Sequence, residues 1–148
     1  MNQQDESQSR NQQDLIRAAE QIYHAWDEAL GRKDLDAALA LYAPDATIES
    51  PLVRHLLGSD IGICQGHNDL RHFIDIVLQR TPPVRQRFLT GFFTDGKKLM
   101  WEYPPATPEG EQVDLVEVME LEDGLIQHHR IYWGWFGLGV LEKDEYRR

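Results

Sequence analysis

The stretch DLDAALALYAPDATIESP, residues 34–51, changes its hydrophobic pattern halfway along. In the first half, apolar residues recur at spacings of three and four, which places them on one face of a helix. These residues are Leu35, Ala38, Leu39 and Tyr42. Asp34 can cap the start of this helix, and Pro44 stops it. The second half contains ATIES, residues 46–50, which is typical of a strand, and Pro51 ends it. A short helix therefore passes directly into a strand.

One longer helix is predicted before this stretch and another after it. From Asp14 onward, apolar residues again follow helical spacing. They are Leu15, Ala19, Ile22, Tyr23, Trp26 and Leu30. Gly31 ends this helix as a C-cap. Downstream, Asn68 can cap a helix over DLRHFIDIVLQR, residues 69–80, which the prolines at 82 and 83 end.

The C-terminal half shows strand patterns separated by turn signals. Successive segments are VRQRFLTGFF at 84–93, KLMWEY at 98–103, QVDLVEVMEL at 112–121 and LIQHHRIYWGW at 125–135. Turns at 94–97 and 122–124, with a Pro- and Gly-rich loop at 104–110, join them into a four-strand antiparallel meander. Helices followed by strands predict an α+β fold, in which the helices gather on one face of a curved sheet. Such a sheet would enclose a cone with an apolar interior.

The chain of 148 residues is the size of one domain. Residues 1–13 are rich in Gln, Asn and Ser and lack apolar side chains after Met1, so we expect a disordered tail. Residues 14–140 would form the single domain, and residues 141–148 a C-terminal tail. Residues 52–66 look like a long loop with one possible helical turn, and such a loop often forms a lid or a wall of a binding site.

Charge and cysteine content limit the partners and the compartment. The formal net charge is −10, and no basic cluster breaks it, which argues against nucleic acid and anionic membrane as partners. The single cysteine, Cys64, cannot form an internal disulfide, and this favours a reducing compartment. No apolar run approaches the roughly 20 residues of a membrane span. We therefore expect a cytoplasmic protein.

A second informative stretch, DGLIQHHRIYW at residues 123–133, closes the predicted sheet. Together with residues 34–51 it resembles the nuclear transport factor 2-like superfamily, and within it the SnoaL-like polyketide cyclase and ketosteroid isomerase-like branch. The similarity spans about residues 14–137. It implies a cone-shaped α+β barrel with a deep pocket between the first helix and the concave sheet. It also implies a homodimer formed through the outer face of the sheet.

Members of this superfamily include isomerases, dehydratases, epoxide hydrolases, cyclases and non-enzymatic binding proteins, so the resemblance leaves function open. In steroid isomerases a first-helix tyrosine and a late acid form an oxyanion hole, and an aspartate before the strand-ending proline removes the proton. Here Trp26 stands at the position of the tyrosine, and Ser50 stands at the position of the aspartate. An indole only donates hydrogen bonds, and serine is no unassisted base near neutral pH. The comparison excludes steroid isomerase activity and matches the late acid to Glu117.

Alternation along the closing strand sorts its residues into two faces. The set predicted to face inward is Gln127, His129, Ile131, Trp133 and Trp135, and the set predicted to face outward is Ile126, His128, Arg130 and Tyr132. His129 is the leading candidate for a general acid or base, because an ordinary pKa of about 6.5 makes both protonation states accessible. The ordinary alternative is a hydrogen-bonded core histidine. Adjacent residues on a strand face opposite ways, so His128 and His129 do not form a metal pair.

Two glutamates compete as the catalytic carboxylate beside His129. Glu117 shares a face with Leu115, Met119 and Leu121, where a carboxylate is costly unless it is functional or paired. It is either a pocket acid or a paired charge on the outer face. Glu102 takes its place if the face of Met100 and Glu102 points inward, and the alternation in 98–103 does not decide this.

These residues predict a cofactor-independent enzyme without metal, which moves protons on a small hydrophobic or aromatic molecule. Isomerisation, dehydration and ring hydrolysis would each fit. The expected ligand-binding residues are Tyr23, Trp26, Ser50, His55, Trp101, Met119, Ile131 and Trp133. A binding module of the same fold without turnover is the alternative, and a scaffold whose cone is filled by its own side chains is a third possibility.

Overall fold

The computed structural model describes residues 3–80, 91–104, 106–107, 110–111 and 113–143. The helices are α1 Gln3–Gly31, α2 Leu35–Leu39, α3 Pro51–Leu57, α4 Gly66–Arg80 and α5 Trp135–Glu142. The strands are β1 Tyr42–Glu49, β2 Ile63–Gln65, β3 Phe92–Thr94, β4 Lys98–Tyr103, β5 Ala106–Thr107, β6 Gly110–Glu111, β7 Leu115–Glu122 and β8 Leu125–Trp133. This element order confirms the predicted α+β class. The predicted strand over 84–90 lies outside the described residues.

Six strands form one curved, unclosed sheet in the order β2-β1-β8-β7-β4-β3, and β5 and β6 form a separate hairpin. The meander β3-β4-β7-β8 is antiparallel, as predicted. The sheet as a whole is not, because β1 lies parallel to β8. The first strand of the chain therefore pairs with the last, and this pairing brings residues 42–49 beside the two histidines of β8.

The hydrophobic core lies between the inner face of this sheet and the helices. Helix α1 contacts β3 and β4, and α4 contacts β1 and β2. The buried face of α1 consists of Ala19, Ile22, Tyr23, Trp26 and Ala29, and that of α4 of Leu70, Phe73, Ile74 and Leu78. Both sets follow the helical spacing seen in the sequence, because that spacing places them on one side of each helix.

Helix α1 begins at Gln3, so the predicted disordered tail is wrong for residues 3–13. Once the packed part of a helix is formed, each added residue contributes a hydrogen bond without a new nucleation cost. Asp5 and Glu6 in the first turn also complement the helix dipole. Near the point where the helix meets the domain, Gln12 donates a hydrogen bond to the backbone carbonyl of Asp95.

The stretch 34–51 forms the predicted helix and strand with a shifted boundary. Asp34 caps α2 by accepting a hydrogen bond from the Ala37 amide at 3.0 Å. Tyr42 belongs to β1 rather than to the helix, and it is 2 % exposed. The residue before a proline avoids the helical region, so Pro44 favours an extended chain ahead of it. This boundary places the Tyr42 hydroxyl in the core.

Residues 52–66 contain a helix and an edge strand where a long loop was expected. The Ser50 hydroxyl caps α3 by accepting a hydrogen bond from the Leu52 amide at 3.1 Å, and Pro51 occupies the first turn. Gly58, with φ of 65°, ends the helix in the left-handed region. Strand β2 then pairs with β1.

The end of the chain folds back as helix α5 instead of continuing the last strand. Strand β8 stops at Trp133, and Asp114 binds the start of α5 by accepting hydrogen bonds from the amides of Gly134 and Gly137, each at 2.7 Å. Trp135 is therefore 88 % exposed, and its predicted inward position is wrong. Of the predicted tail, residues 141–142 belong to α5, and residues 144–148 lie outside the described part. Among the helices described, none has the length and apolarity needed to cross a membrane.

Candidate functional site

A bulge in β8 sets the direction of its side chains. Glu120 pairs with His128, but the next residue, Leu121, pairs with Ile126, so Gln127 is an extra residue. Ile126 is consequently fully buried, and its predicted outward position is wrong. Gln127 is half-buried beside the outer-face residue His128, and it donates to the Asp45 carboxylate at 3.1 Å, so its predicted inward position is also wrong.

His129 and Glu117 meet on the inner face of the sheet. His129 is 2 % exposed and Glu117 is 4 % exposed. Nε2 of His129 bonds Oε2 of Glu117 across the β7–β8 pair. The inward direction predicted for His129 is correct, and of the two positions considered for Glu117 the structure shows the inner one. A buried carboxylate and imidazole in contact form a unit that can hold or pass a proton.

Tyr42 and Trp26 fix the other side of the imidazole. The Tyr42 hydroxyl lies 2.7 Å from Nδ1 of His129, and Nε1 of Trp26 donates to the same hydroxyl at 3.3 Å. Burial raises the pKa of the Tyr42 phenol well above its ordinary value, so the phenol keeps its proton. Because the indole can only donate, the Tyr42 proton is directed to Nδ1. The imidazole proton then lies on Nε2, towards Glu117.

Aromatic rings surround this pair. The Trp26 ring contacts the Trp101 ring at a centroid distance of 5.3 Å, and Trp101 contacts Tyr23 at 5.1 Å. Trp26 also meets the His129 ring edge to face at 5.9 Å. We call Tyr23, Trp26, Tyr42, Trp101, Glu117 and His129 the inner cluster. Tyr42 was not among the predicted site residues, although Pro44 disfavours a helical conformation at the residue just before it, next to Tyr42.

Strand β4 decides between the two glutamates. Its residues alternate strictly, with Leu99, Trp101 and Tyr103 buried and Lys98, Met100 and Glu102 exposed. Glu102 therefore lies on the outer face, away from His129. The prediction of Glu102 as a catalytic carboxylate is wrong, because the buried face of β4 carries Trp101 and Tyr103, and Glu102 alternates with them.

The remaining predicted ligand-binding residues are spread over the core. Met119 is fully buried beside His129 in the β7–β8 pairing. Ile131 and Trp133 are half-buried farther along β8, and His55 is half-buried on α3. Ser50 is buried, but its hydroxyl serves as the α3 cap. Of the predicted ligand-binding residues, Tyr23, Trp26 and Trp101 therefore lie around the Glu117–His129 pair. Ser50 instead stabilises the start of α3.

The outer face of the sheet carries a separate polar network. Nδ1 of His128 lies 2.8 Å from the Thr47 hydroxyl, and Arg130 donates to Glu120 at 3.2 Å. The Arg130 guanidinium holds the pKa of Glu120 below its ordinary value. These contacts confirm the predicted outward positions of His128 and Arg130. A surface cavity of about 330 Å³ lies beside them; its lining includes Asp95, Lys97, Glu120 and His128.

In the described part of the chain no three His, Cys, Asp or Glu side chains gather closely enough to hold a metal ion. The inner cluster itself offers a carboxylate, an imidazole, a phenol and two indoles. Glu117 uses Oε2 for His129, and no described residue donates to its Oε1. Oε1 is therefore the oxygen of the pair that no described side chain engages.

Tyr42→Phe should lower the free energy of unfolding by about 2 kcal/mol, because it removes the buried hydrogen bonds that the hydroxyl makes with the Trp26 indole and with Nδ1 of His129. Urea denaturation followed by circular dichroism measures the change. Tyr132→Phe is the matched control, since Tyr132 is 58 % exposed on the same sheet. Equal stability of the two variants would show that the Tyr42 hydroxyl does not hold the imidazole.

Comparison with known proteins gives the family. Residues 20–129 match the family described as the SnoaL-like domain. No curated protein matches the chain significantly. A SnoaL-like protein of unknown function from Burkholderia thailandensis has a similar structure, with 19 % identity, a TM-score of 0.67, and coverage of 80 % of this chain and 95 % of that one.

Two further solved structures are of proteins with a described ligand or role. TerC, co-crystallised with polyporic acid, is 16 % identical with a TM-score of 0.63, over 85 % of this chain and 98 % of its own. SalBIII, described as an epoxide hydrolase/cyclase-like enzyme in pyran ring formation in the polyether salinomycin, is 22 % identical with a TM-score of 0.58, over 82 % and 95 % of the two chains. At these identities the similarity shows a shared fold. Because the matched segment covers most of its 148 residues, the chain belongs to the SnoaL-like domain family and has the nuclear transport factor 2-like α+β fold.

Proposed function

We propose that this protein is a cofactor-independent enzyme that moves protons on a small, largely apolar or aromatic molecule. Glu117 is the acid/base group, and its Oε1 is the atom that exchanges the proton. The observation that carries the proposal is a buried carboxylate with one oxygen bonded to His129 and the other without a donor among the described residues. Isomerisation, dehydration and ring hydrolysis can each use a carboxylate as general acid or base.

His129 acts through Glu117 in this proposal. Both of its ring nitrogens are engaged, Nδ1 by Tyr42 and Nε2 by Glu117. A donor held at Oε2 fixes the direction of the carboxylate and stabilises its charge in a site that excludes water. His129 is therefore a positioning residue, which changes the role expected of it from the sequence.

Stability alone gives little reason for this arrangement. Burying a carboxylate costs desolvation energy that a single hydrogen bond often does not return, and apolar pairs of similar volume are frequently as stable. Buried ionisable groups among aromatic side chains are also typical of functional sites. These two considerations support a catalytic use of Glu117 over a purely structural one.

The structural neighbours support the choice of a small organic substrate. TerC was crystallised with polyporic acid, and SalBIII is described as taking part in pyran ring formation. These properties belong to those proteins. For this chain, they suggest where to start a search for ligands.

Proton exchange in D₂O tests the proposal without knowledge of the natural substrate. Purified protein without added cofactor is incubated with a panel of small carbonyl compounds that carry a hydrogen on the carbon next to the carbonyl, including aryl alkyl ketones and α-hydroxyketones, and deuterium uptake at carbon is measured by mass spectrometry. We expect uptake above the buffer rate in at least one compound class. Exchange at the buffer rate for every compound that binds would contradict the proposal.

A binding module without turnover is the second candidate. The observation favouring it is the cap on α3, because Ser50 holds the position where steroid isomerases carry their base and its hydroxyl is committed to the Leu52 amide. Ligands that raise the melting temperature of the protein but never exchange a proton would support this candidate.

The homodimer through the outer face of the sheet stays a prediction. Three large apolar side chains on that face support it: Phe93 is 75 % exposed, Tyr132 is 58 % exposed and Met100 is 38 % exposed.

A further inference from the structure

Helix α5 packs directly onto the ring of Trp133, the last residue of β8. Gly137 makes this contact and is buried. A Cβ atom at position 137 would lie 2.7 Å from Cε3 of Trp133 and 3.0 Å from Cγ1 of Val113. Non-bonded carbon atoms prefer separations of about 3.5–4.0 Å, so the contact requires glycine. Farther along α5, Leu141 packs against the hydrophobic core. Helix α5 therefore covers this end of the sheet.

The Glu117–His129 pair lies on the inner face of the sheet, just beyond Trp133. Alternate residues of β7 and β8 share this face. Counted from α5, their cross-strand pairs are Leu115–Trp133, Glu117–Ile131 and Met119–His129. Trp133 and Ile131 are half-buried, whereas Glu117 is 4 % exposed. Glu117 is thus one residue pair away from the ring that α5 covers.

Helix α5 has few of the features that stabilise a helix. It is eight residues long, and two of its interior residues are glycines. Glycine destabilises a helix relative to alanine, and isolated helices this short do not persist in water. Its outer side is also unpacked, since Trp135 is 88 % exposed and Leu138 is 43 % exposed. The helix therefore depends on its contacts with the rest of the domain.

Asp114 holds the first turn of α5 in place. The N-cap residue, Gly134, has no side chain that could cap the helix. The Asp114 carboxylate takes this role by accepting a hydrogen bond from the Gly137 amide at 2.7 Å, while its backbone carbonyl accepts one from the Gly134 amide at 2.7 Å. A Cβ atom at position 134 would lie 1.9 Å from Oδ2 of Asp114, so the carboxylate fills the space beside the glycine.

We propose that α5 is a lid, hinged at Gly134 and held shut by Asp114, and that its opening lets a small molecule reach Glu117. The proposal rests on the proposed function, for which it supplies the route of the substrate. A molecule can reach a carboxylate as buried as Glu117 when a covering element moves. Short segments with few buried contacts open more readily than the core, and α5 is such a segment next to the pair.

Thiol labelling measures this opening without a substrate. Met119→Cys places a thiol on the inner face beside His129, where Met119 is fully buried. The reagent is methyl methanethiosulfonate, whose methyl disulfide product has as many atoms beyond Cβ as methionine and therefore fits the same space. The natural Cys64, buried on β2, is the internal reference for unfolding of the whole domain. Mass spectrometry of peptides gives the labelling rate of each thiol.

Two glycines of α5 provide matched variants in the Met119→Cys background. Gly137→Ala forces the helix off Trp133, and we expect it to raise labelling at position 119 about ten-fold or more, with the rate at Cys64 changed less than about two-fold. Gly139→Ala makes the same change where no described atom from another part of the chain lies within 4 Å of the new Cβ. It favours the helix, so labelling should not become faster.

Asp114→Ala removes the carboxylate that caps α5 and should raise labelling at position 119 in the same way. This variant decides the question if Gly137→Ala does not fold. Its control is Glu122→Ala, because Glu122 is an exposed acid at the opposite end of β7. The rate with Glu122→Ala should equal that of the Met119→Cys parent.

Equal labelling at position 119 in the glycine variants and in the acid variants would overturn the proposal. A parallel rise at Cys64 would also overturn it, because the whole domain would then be opening. Labelling measures access, whereas exchange in D₂O measures catalysis. Faster labelling without any proton exchange would therefore reject the proposed function and leave the lid standing, and the reverse result would reject the lid alone.

Discussion

Glu117→Gln should lower the rate of proton exchange by at least about 100-fold, because a positioned general base contributes this much or more and an amide cannot take up the proton. Glutamine has the same shape, and its amide oxygen can still accept from Nε2 of His129. The variant should therefore fold, and its free energy of unfolding should change by less than about 1.5 kcal/mol, the range of a single neutral hydrogen bond. Initial exchange rates with the best compound of the panel measure the effect.

Glu102→Gln is the control for this experiment. Glu102 lies on β4, one residue from Trp101, but its side chain is on the outer face. The substitution makes the same chemical change next to the site without entering it, so its exchange rate should equal that of the wild type. If Glu117→Gln exchanges as fast as Glu102→Gln, Glu117 is not the base.

His129→Leu should lower the free energy of unfolding by about 3–5 kcal/mol, since removing one partner leaves the Glu117 carboxylate buried without compensation. Glu117 is 4 % exposed, so water cannot replace the imidazole without opening the core. The Tyr42 hydroxyl also loses its acceptor at Nδ1. Urea denaturation at pH 7 gives the stability of each variant.

The neighbouring histidine provides the control for this stability experiment. His128→Leu makes the same substitution one residue away on the outer face, where it removes only the hydrogen bond with Thr47. That loss should cost about 1 kcal/mol. Similar losses in the two variants would show that Glu117 does not depend on His129.

Much of the fold could be predicted from periodicity, because burial imposes it. The spacing of Ile22, Tyr23 and Trp26 gave the inner face of α1, and alternation in β4 grouped Trp101 with Tyr103. Alternation shows which residues of a strand share a face, but it does not show which of the two faces points to the core. Glu102 and Glu117 therefore looked equivalent in the sequence, and only the packing of α1 against β4 separates them.

The errors come from contacts between distant parts of the chain. A bulge at Gln127 shifts the pairing of β8 by one residue, so simple alternation gave the wrong direction for Ile126. The parallel pairing of β1 with β8 brings Tyr42 to His129, 87 residues later in the chain. No local pattern encodes this contact. Glu117 was considered as the carboxylate beside His129, whereas Tyr42 was not predicted as a partner of the imidazole.

The central claim is that the Glu117–His129 pair acts on a ligand and that the stability of the core does not depend on it. The double variant Glu117→Leu/His129→Leu tests it most directly, with stability and proton exchange measured on the same preparation. Replacing both members of a buried pair by apolar residues is often neutral, so we expect stability within about 1 kcal/mol of the wild type. We expect exchange at the buffer rate. A folded double variant that exchanges protons as fast as the wild type would contradict the claim.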